Sequence, residues 1–165
     1  MKPSPPLNSR RALPGLFALL GLAGLAGAAL ADGGNRAAPL PLLPKYQQEC
    51  AACHIAYPPA MLPAASWQRT MTNLQRHYGT DASLDPATAQ ELATWLAANA
   101  GTYKRVSEQP PEDRISRSAW FIRKHHEVVA ATWNLPAVKS AANCSACHTQ
   151  SDQGDFNERN IRIPR

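Results

Sequence analysis

Apolar positions along this chain recur at helical spacing, and no period-two alternation of a strand stands out. Trp67, Met71, Leu74 and Tyr78 stand at i, i+4, i+7 and i+11. They form one stripe on a helix expected from about Ala64 to Tyr78, with Gly79 as its stop. A second helix is marked at both ends: Asp85 as N-cap, Pro86 at the first helical position, Leu92, Trp95 and Leu96 on one face, and a close near Gly101. A third is expected from about Ser116 to Trp133, where Asn134-Leu135-Pro136 breaks it. Ahead of the first helix, the prolines of Ile55-Ala56-Tyr57-Pro58-Pro59 forbid helix and force an extended path. The pattern predicts an all-α fold.

The same punctuation divides the chain. Residues 1–31 read as a signal peptide: Lys2, Arg10 and Arg11 form a basic start, an apolar run follows, and Ala29-Leu30-Ala31 supplies the small residues of a cleavage site. Four glycines in that run argue against a retained membrane anchor. Residues 32–44 read as an extended arm rich in Pro, Ala and Leu. Residues 45–101 and 116–165 are the two folded halves, and the polar stretch 102–115, with Gln109-Pro110-Pro111-Glu112-Asp113, is the linker between them. The tail from Asp152 is short and charged.

All four cysteines fall in two copies of Cys-x-x-Cys-His, at Cys50-Ala51-Ala52-Cys53-His54 and Cys144-Ser145-Ala146-Cys147-His148. This spacing attaches a c-type haem: the two sulfurs form thioethers to the porphyrin, and the next histidine lies under the iron as proximal ligand. Two disulfides or a four-cysteine zinc site would use the cysteines equally well. Neither gives a reason for a histidine directly after each pair. Two covalently bound haem c groups are therefore expected, on Cys50, Cys53, Cys144 and Cys147, with His54 and His148 on the irons.

Each iron has a second axial position, and three histidines remain to fill two of them. His77 follows His54 by 23 residues, and His125 precedes His148 by 23, so the halves are ordered as mirror images. For the first iron His77 is the candidate, with Met61 and Met71 as rivals. For the second the choice is between His125 and His126. At about 100° per residue, a continuous helix puts Phe121, Val129 and Thr132 within roughly 40° of His125, and Ile122 and Val128 about 60° away. His125 is thus centred on the expected buried face and His126 on its edge, where it could meet a propionate. Glu127 faces the other way.

Charge adds little. The chain is +5, but without residues 1–31 it keeps 14 basic against 12 acidic residues. The haem propionates bring that near neutrality, so nothing points to nucleic acid, and no stable membrane insertion is expected after signal cleavage. An iron closed by two imidazoles has no vacancy for substrate and lacks the thioether that raises potential. That predicts a periplasmic, low-potential electron-transfer protein and no enzyme. A fixed subunit of a membrane oxidoreductase, or a haem enzyme or gas sensor with one open iron, is the alternative.

From about Tyr46 to Pro164 the chain resembles the small periplasmic dihaem cytochrome c family, DHC. The resemblance rests on residues 50–59, Ser66-Trp67 through Met71, and His77-Tyr78-Gly79-Thr80-Asp81-Ala82. In the second half it rests on Trp120-Phe121 through His125 to Glu127, Trp133, and residues 140–148. It implies bis-histidine ligation of both haems, with His77 and His125 at the distal positions. It also implies redox partners: an oxygen-binding monohaem cytochrome c and a b-type membrane cytochrome.

Overall fold

In the computed structural model, residues 40–104 and 106–165 are described; the signal-peptide reading and most of the expected arm lie outside them. The described residues belong to one compact unit, built from five short α-helices and a series of 3-10 turns. Only isolated bridges occur among them, so the all-α expectation stands.

The first helix, α1 (Pro44–Cys50), starts on a proline that needs no amide partner there. It has no apolar stripe, so periodicity leaves it unmarked. One residue carries it inward: Tyr46, 2% exposed, whose ring lies 5.3 Å from that of Trp95. The proline stretch then runs extended into a 3-10 turn at Pro59–Met61. Next come α2 (Ala64–Met71) and α3 (Pro86–Ala98), which pack chiefly on each other. Tyr46, Ala56, Leu62, Trp67, Leu92 and Leu96 form the core between these elements. The Trp67 indole N–H is satisfied by the Pro59 carbonyl at 2.7 Å. Asp85 caps α3 as expected, its carboxylate accepting from the Thr88 amide at 3.0 Å. Gly101 passes so close to the α2 entrance that its amide donates to the Leu62 carbonyl at 2.9 Å.

Two expected helices are shorter than their periodicity implied. The stripe from Ala64 to Tyr78 is α-helical only to Met71. There the Thr72 hydroxyl turns back to the Arg69 carbonyl at 3.1 Å, and Asn73 leaves helical geometry at φ −130°, ψ 30°. Such side chains offer the backbone a rival to the helix ladder. A 3-10 turn (Leu74–Arg76) follows, and Tyr78, at φ 52° and 43% exposed, leaves the stripe. Gly79, at φ 97°, ends this turn and not the helix.

The helix expected over Ser116–Trp133 is two: α4 (Ala119–Lys124), capped by the Ser118 hydroxyl, and α5 (Ala130–Trp133). The break follows from side-chain chemistry. The His126 Nδ1 lies 2.8 Å from the Arg123 carbonyl, taking the acceptor that the Glu127 amide would need to continue the helix. Val128 and Val129 add two β-branched residues. The single helical wheel about His125 therefore fails: Ile122 and Val129, expected on the buried face, are 59% and 67% exposed. Phe121 and Thr132 are buried as expected.

The stretch before α4 packs against the first half. Glu112 and Asp113 both adopt positive φ, in a turn tied down by Arg69 on Asp113 and by Arg114 and Arg117 on Glu112. The second half buries few large apolar side chains, Phe121 and Val138 among them. Hydrogen-bonded turns hold it instead. Its charged tail folds back on the second cysteine motif: the Arg162 amide donates to the Cys147 carbonyl at 2.8 Å, and the Thr149 amide to the Asn160 carbonyl at 3.1 Å.

Candidate functional site

Cys50 is the last residue of α1, Ala51 to Cys53 form a turn, and His54 stands where the extended proline stretch begins. The His54 Nδ1 lies 2.7 Å from the Ile55 carbonyl. An N–H donated there fixes the tautomer and leaves the Nε2 lone pair for a metal, as is usual for ligating histidines. The ring facing it belongs to His77, with centroids 6.1 Å apart and planes inclined by 31°.

His77 reaches this place without the helix that was expected to carry it. It closes the Leu74–Arg76 turn, and its carbonyl accepts from the Thr80 amide at 3.1 Å. Its neighbour Tyr78 is clamped from outside. The phenol donates toward the Glu112 and Asp113 carbonyls, each at 3.1 Å, and the Arg114 guanidinium lies 4.1 Å over the ring. Burial, with His54 and Arg114 nearby, lowers the His77 pKa and keeps the imidazole neutral with a free lone pair.

The second motif folds as a 3-10 turn, Cys144–Ala146, followed by Cys147 and His148. His125 faces His148 with ring centroids 6.0 Å apart and planes inclined by 72°. The His125 Nδ1 lies 2.8 Å from the Phe121 carbonyl, again leaving Nε2 free. The His148 Nδ1 is buried with no partner among the described residues, and the Phe156 ring lies 5.3 Å from its own. Burial, then the neighbouring His125, lowers the His148 pKa. His126 is not gathered in: its side chain is 69% exposed and points to the Arg123 carbonyl. Met71 packs partly against the first core, and Met61 is half-buried in the Pro59–Met61 turn.

Both histidine pairs fit an axial pair on one haem iron. With a metal–nitrogen bond of about 2 Å on each side and about 1.1 Å from nitrogen to ring centre, two axial imidazoles put their centroids roughly 6 Å apart. Among the described residues the four cysteines form no disulfide and no cluster that could hold a metal ion, and each Cys-x-x-Cys runs directly into one histidine of a facing pair, His54 or His148. Burial pushes the Cys50 and Cys144 thiols up to about 11.

Sequence reasoning missed three groups around the sites. Tyr57 stacks on His54 with centroids 4.7 Å apart, and its hydroxyl donates to the Ala142 carbonyl at 2.6 Å. Phe156 and the folded-back tail border His148. Of these, Tyr57 alone left a sequence signal: an aromatic three residues after the motif histidine, held in extended chain by the prolines that follow.

The dihaem cytochrome c family model matches residues 46–156. Among solved structures, the diheme cytochrome type c of Shewanella baltica is 35% identical, with a TM-score of 0.65 over 73% of this chain and 92% of its own. DHC purified from Rhodobacter sphaeroides is 43% identical, with a TM-score of 0.61 over 69% and 96%. A second structure of a diheme cytochrome c from Rhodobacter sphaeroides is 39% identical, with a TM-score of 0.64 over 72% and 100%. No curated protein matches. Two cysteine motifs, two facing histidine pairs and this match over two thirds of the sequence lead to one conclusion: the chain belongs to the dihaem cytochrome c family, whose members carry two c-type haems.

Proposed function

We propose that this protein is an exported, periplasmic electron carrier whose two haems are each closed by two histidines. His54 and His77 would hold the first iron, and His148 and His125 the second. Cys50, Cys53, Cys144 and Cys147 would anchor the porphyrins. The observation that carries this reading is the close approach of the two pairs, 6.1 and 6.0 Å between ring centres with the planes inclined by 31° and 72°.

Each haem supplies one reversible one-electron couple; the chain's part is to keep its ligands still. His54 and His125 are locked by carbonyl acceptors, and His77 by the clamp on Tyr78. Rigid bis-imidazole ligation allows a change of oxidation state with little ligand movement, and the missing thioether keeps both potentials low. No helix among the described residues is long and apolar enough to cross a membrane. The partners that suit such a carrier are a b-type membrane cytochrome as donor and an oxygen-binding monohaem cytochrome c as acceptor. They would dock through a small interface of the weak redox type.

Electron paramagnetic resonance of the ferric holoprotein, with optical spectra of the reduced form before and after carbon monoxide, tests this. Two low-spin signals and no carbon monoxide shift are expected. A high-spin signal or a shift would mean one open iron, and the carrier reading would give way to a haem enzyme or sensor. Retention of the holoprotein in washed membranes would favour a fixed oxidoreductase subunit.

A further inference from the structure

The two haem sites sit in halves that share very little. Among the described residues, one hydrogen bond joins residues 40–101 to residues 116–165: the Tyr57 hydroxyl to the Ala142 carbonyl, at 2.6 Å across 85 positions of sequence. The same side chain touches the first site at its other end, where its ring stacks on His54 at 4.7 Å with the planes only 23° apart. Ala142 lies two residues before Cys144. One residue therefore contacts an axial histidine of the first site and the lead-in to the second motif.

Tyr57 is placed to do this firmly. Pro58 disfavours helical geometry at the residue before it and is itself non-helical, at φ −53° and ψ 128°, ahead of the Pro59–Met61 turn. Its own carbonyl accepts from the Tyr46 hydroxyl at 2.9 Å, and Tyr46 is buried in the first core. The residue is held at three points: backbone by the core, ring by His54, hydroxyl by the second half. A neutral phenol donating to a carbonyl at this distance is a short, directional bond.

We propose that Tyr57 is the positioning residue that fixes the separation of the two haem sites and couples them electrically; this rests on the bis-histidine reading above. Coupling needs a short, packed path, because electron exchange weakens less through bonds and hydrogen bonds than across a gap. The imidazole of His54, the stacked phenol, its hydrogen bond and the backbone from Ala142 to Cys144 make such a path. No proton leaves Tyr57, and no oxidant or reductant is consumed in this role.

The test compares the wild-type holoprotein with Tyr57→Phe, which keeps the stacked ring and removes the bond, and with Tyr57→Ala, which removes both. Each is followed by redox titration of the two haems and by rapid photoreduction to time electron redistribution between them. Tyr57→Phe should slow redistribution by about tenfold and change the separation of the two potentials, with both low-spin signals unchanged. Tyr57→Ala should go further and also shift the signal of the His54 site. If Tyr57→Ala does not fold, the near-isosteric Tyr57→Phe decides alone. Two low-spin signals in the wild type, with Tyr57→Phe unchanged in rate and potentials, would overturn this inference and leave the carrier reading intact. An open iron in the wild type would overturn both.

Discussion

His125 lies flat against Phe121, with ring centroids 3.9 Å apart and planes 21° apart, while its Nδ1 rests 2.8 Å from the carbonyl of that same residue. One residue thus sets both the plane and the tautomer of the imidazole. His126, one position on, is exposed and engaged elsewhere.

That contrast separates the two histidines by experiment. His125→Ala should open one iron, seen as a high-spin signal and a carbon monoxide shift of half the haem absorbance. His126→Ala should leave the spectra unchanged. Phe121→Ala should cost about 3–5 kcal/mol of stability by loss of a buried aromatic, and broaden the low-spin signal of the same site. The reverse pattern, with His126→Ala opening the iron, would exchange the assignments.

The Arg69–Asp113 pair predicts an acid-side effect. Arg69 donates to both Asp113 oxygens, at 2.9 and 2.8 Å, and this hydrogen bonding holds the carboxyl below its usual range. A carboxylate with a depressed folded pKa stabilises fully above its unfolded value, near 3.9, and the contribution fades as pH falls through the folded value. The Arg69 side chain is 43% exposed, so solvent and salt screen the pair. Asp113→Asn should therefore cost only about 1 kcal/mol at neutral pH. Denaturant titrations at several pH values should show the gap from wild type closing in acid and narrowing at high salt.

Removing residues 158–165 should act on one site only. It deletes the bonds from Thr149 to Asn160 and from Arg162 to Cys147 that hold the second motif. Hydrogen exchange should accelerate over residues 144–150, and the His148-site signal should broaden, with the His54-site signal unchanged. Equal changes at both sites would show that the tail serves the whole fold.

Gly101→Ala should destabilise the first half by about 1–3 kcal/mol through overpacking. The added carbon would fall 2.5 Å from the Ala60 carbonyl oxygen and 2.6 Å from a Val106 methyl, and backbone has little room to yield. A thermal melt of the variant against wild type measures it.

How much of this was legible depended on the kind of interaction. The all-α class and α3 were written in side chains: Asp85 and Pro86 mark the start, and Leu92 and Leu96 form a buried face. Counting histidines narrowed the partners of His54 and His148 to three, but the wheel that singled out His125 over His126 presumed one continuous helix, which the structure breaks between them and Ala130. Helix ends were not, since Thr72 and His126 stop α2 and α4 by competing for carbonyls that periodicity ignores. The helix α1 was hidden because seven residues with one buried side chain make no stripe. The tail was hidden because its bonds to the second motif run largely through backbone atoms, which leave no mark on residue type.

The reversed order of the halves has a consequence in time. A chain delivered N-terminus first presents Cys50 and Cys53 well before His77, 23 residues behind His54. At the other end His125 has already emerged when Cys144 and Cys147 arrive. On the proposed ligation, the first porphyrin would meet its distal histidine only after residues 55–77 had followed, whereas the second would find His125 already delivered when its cysteines arrive.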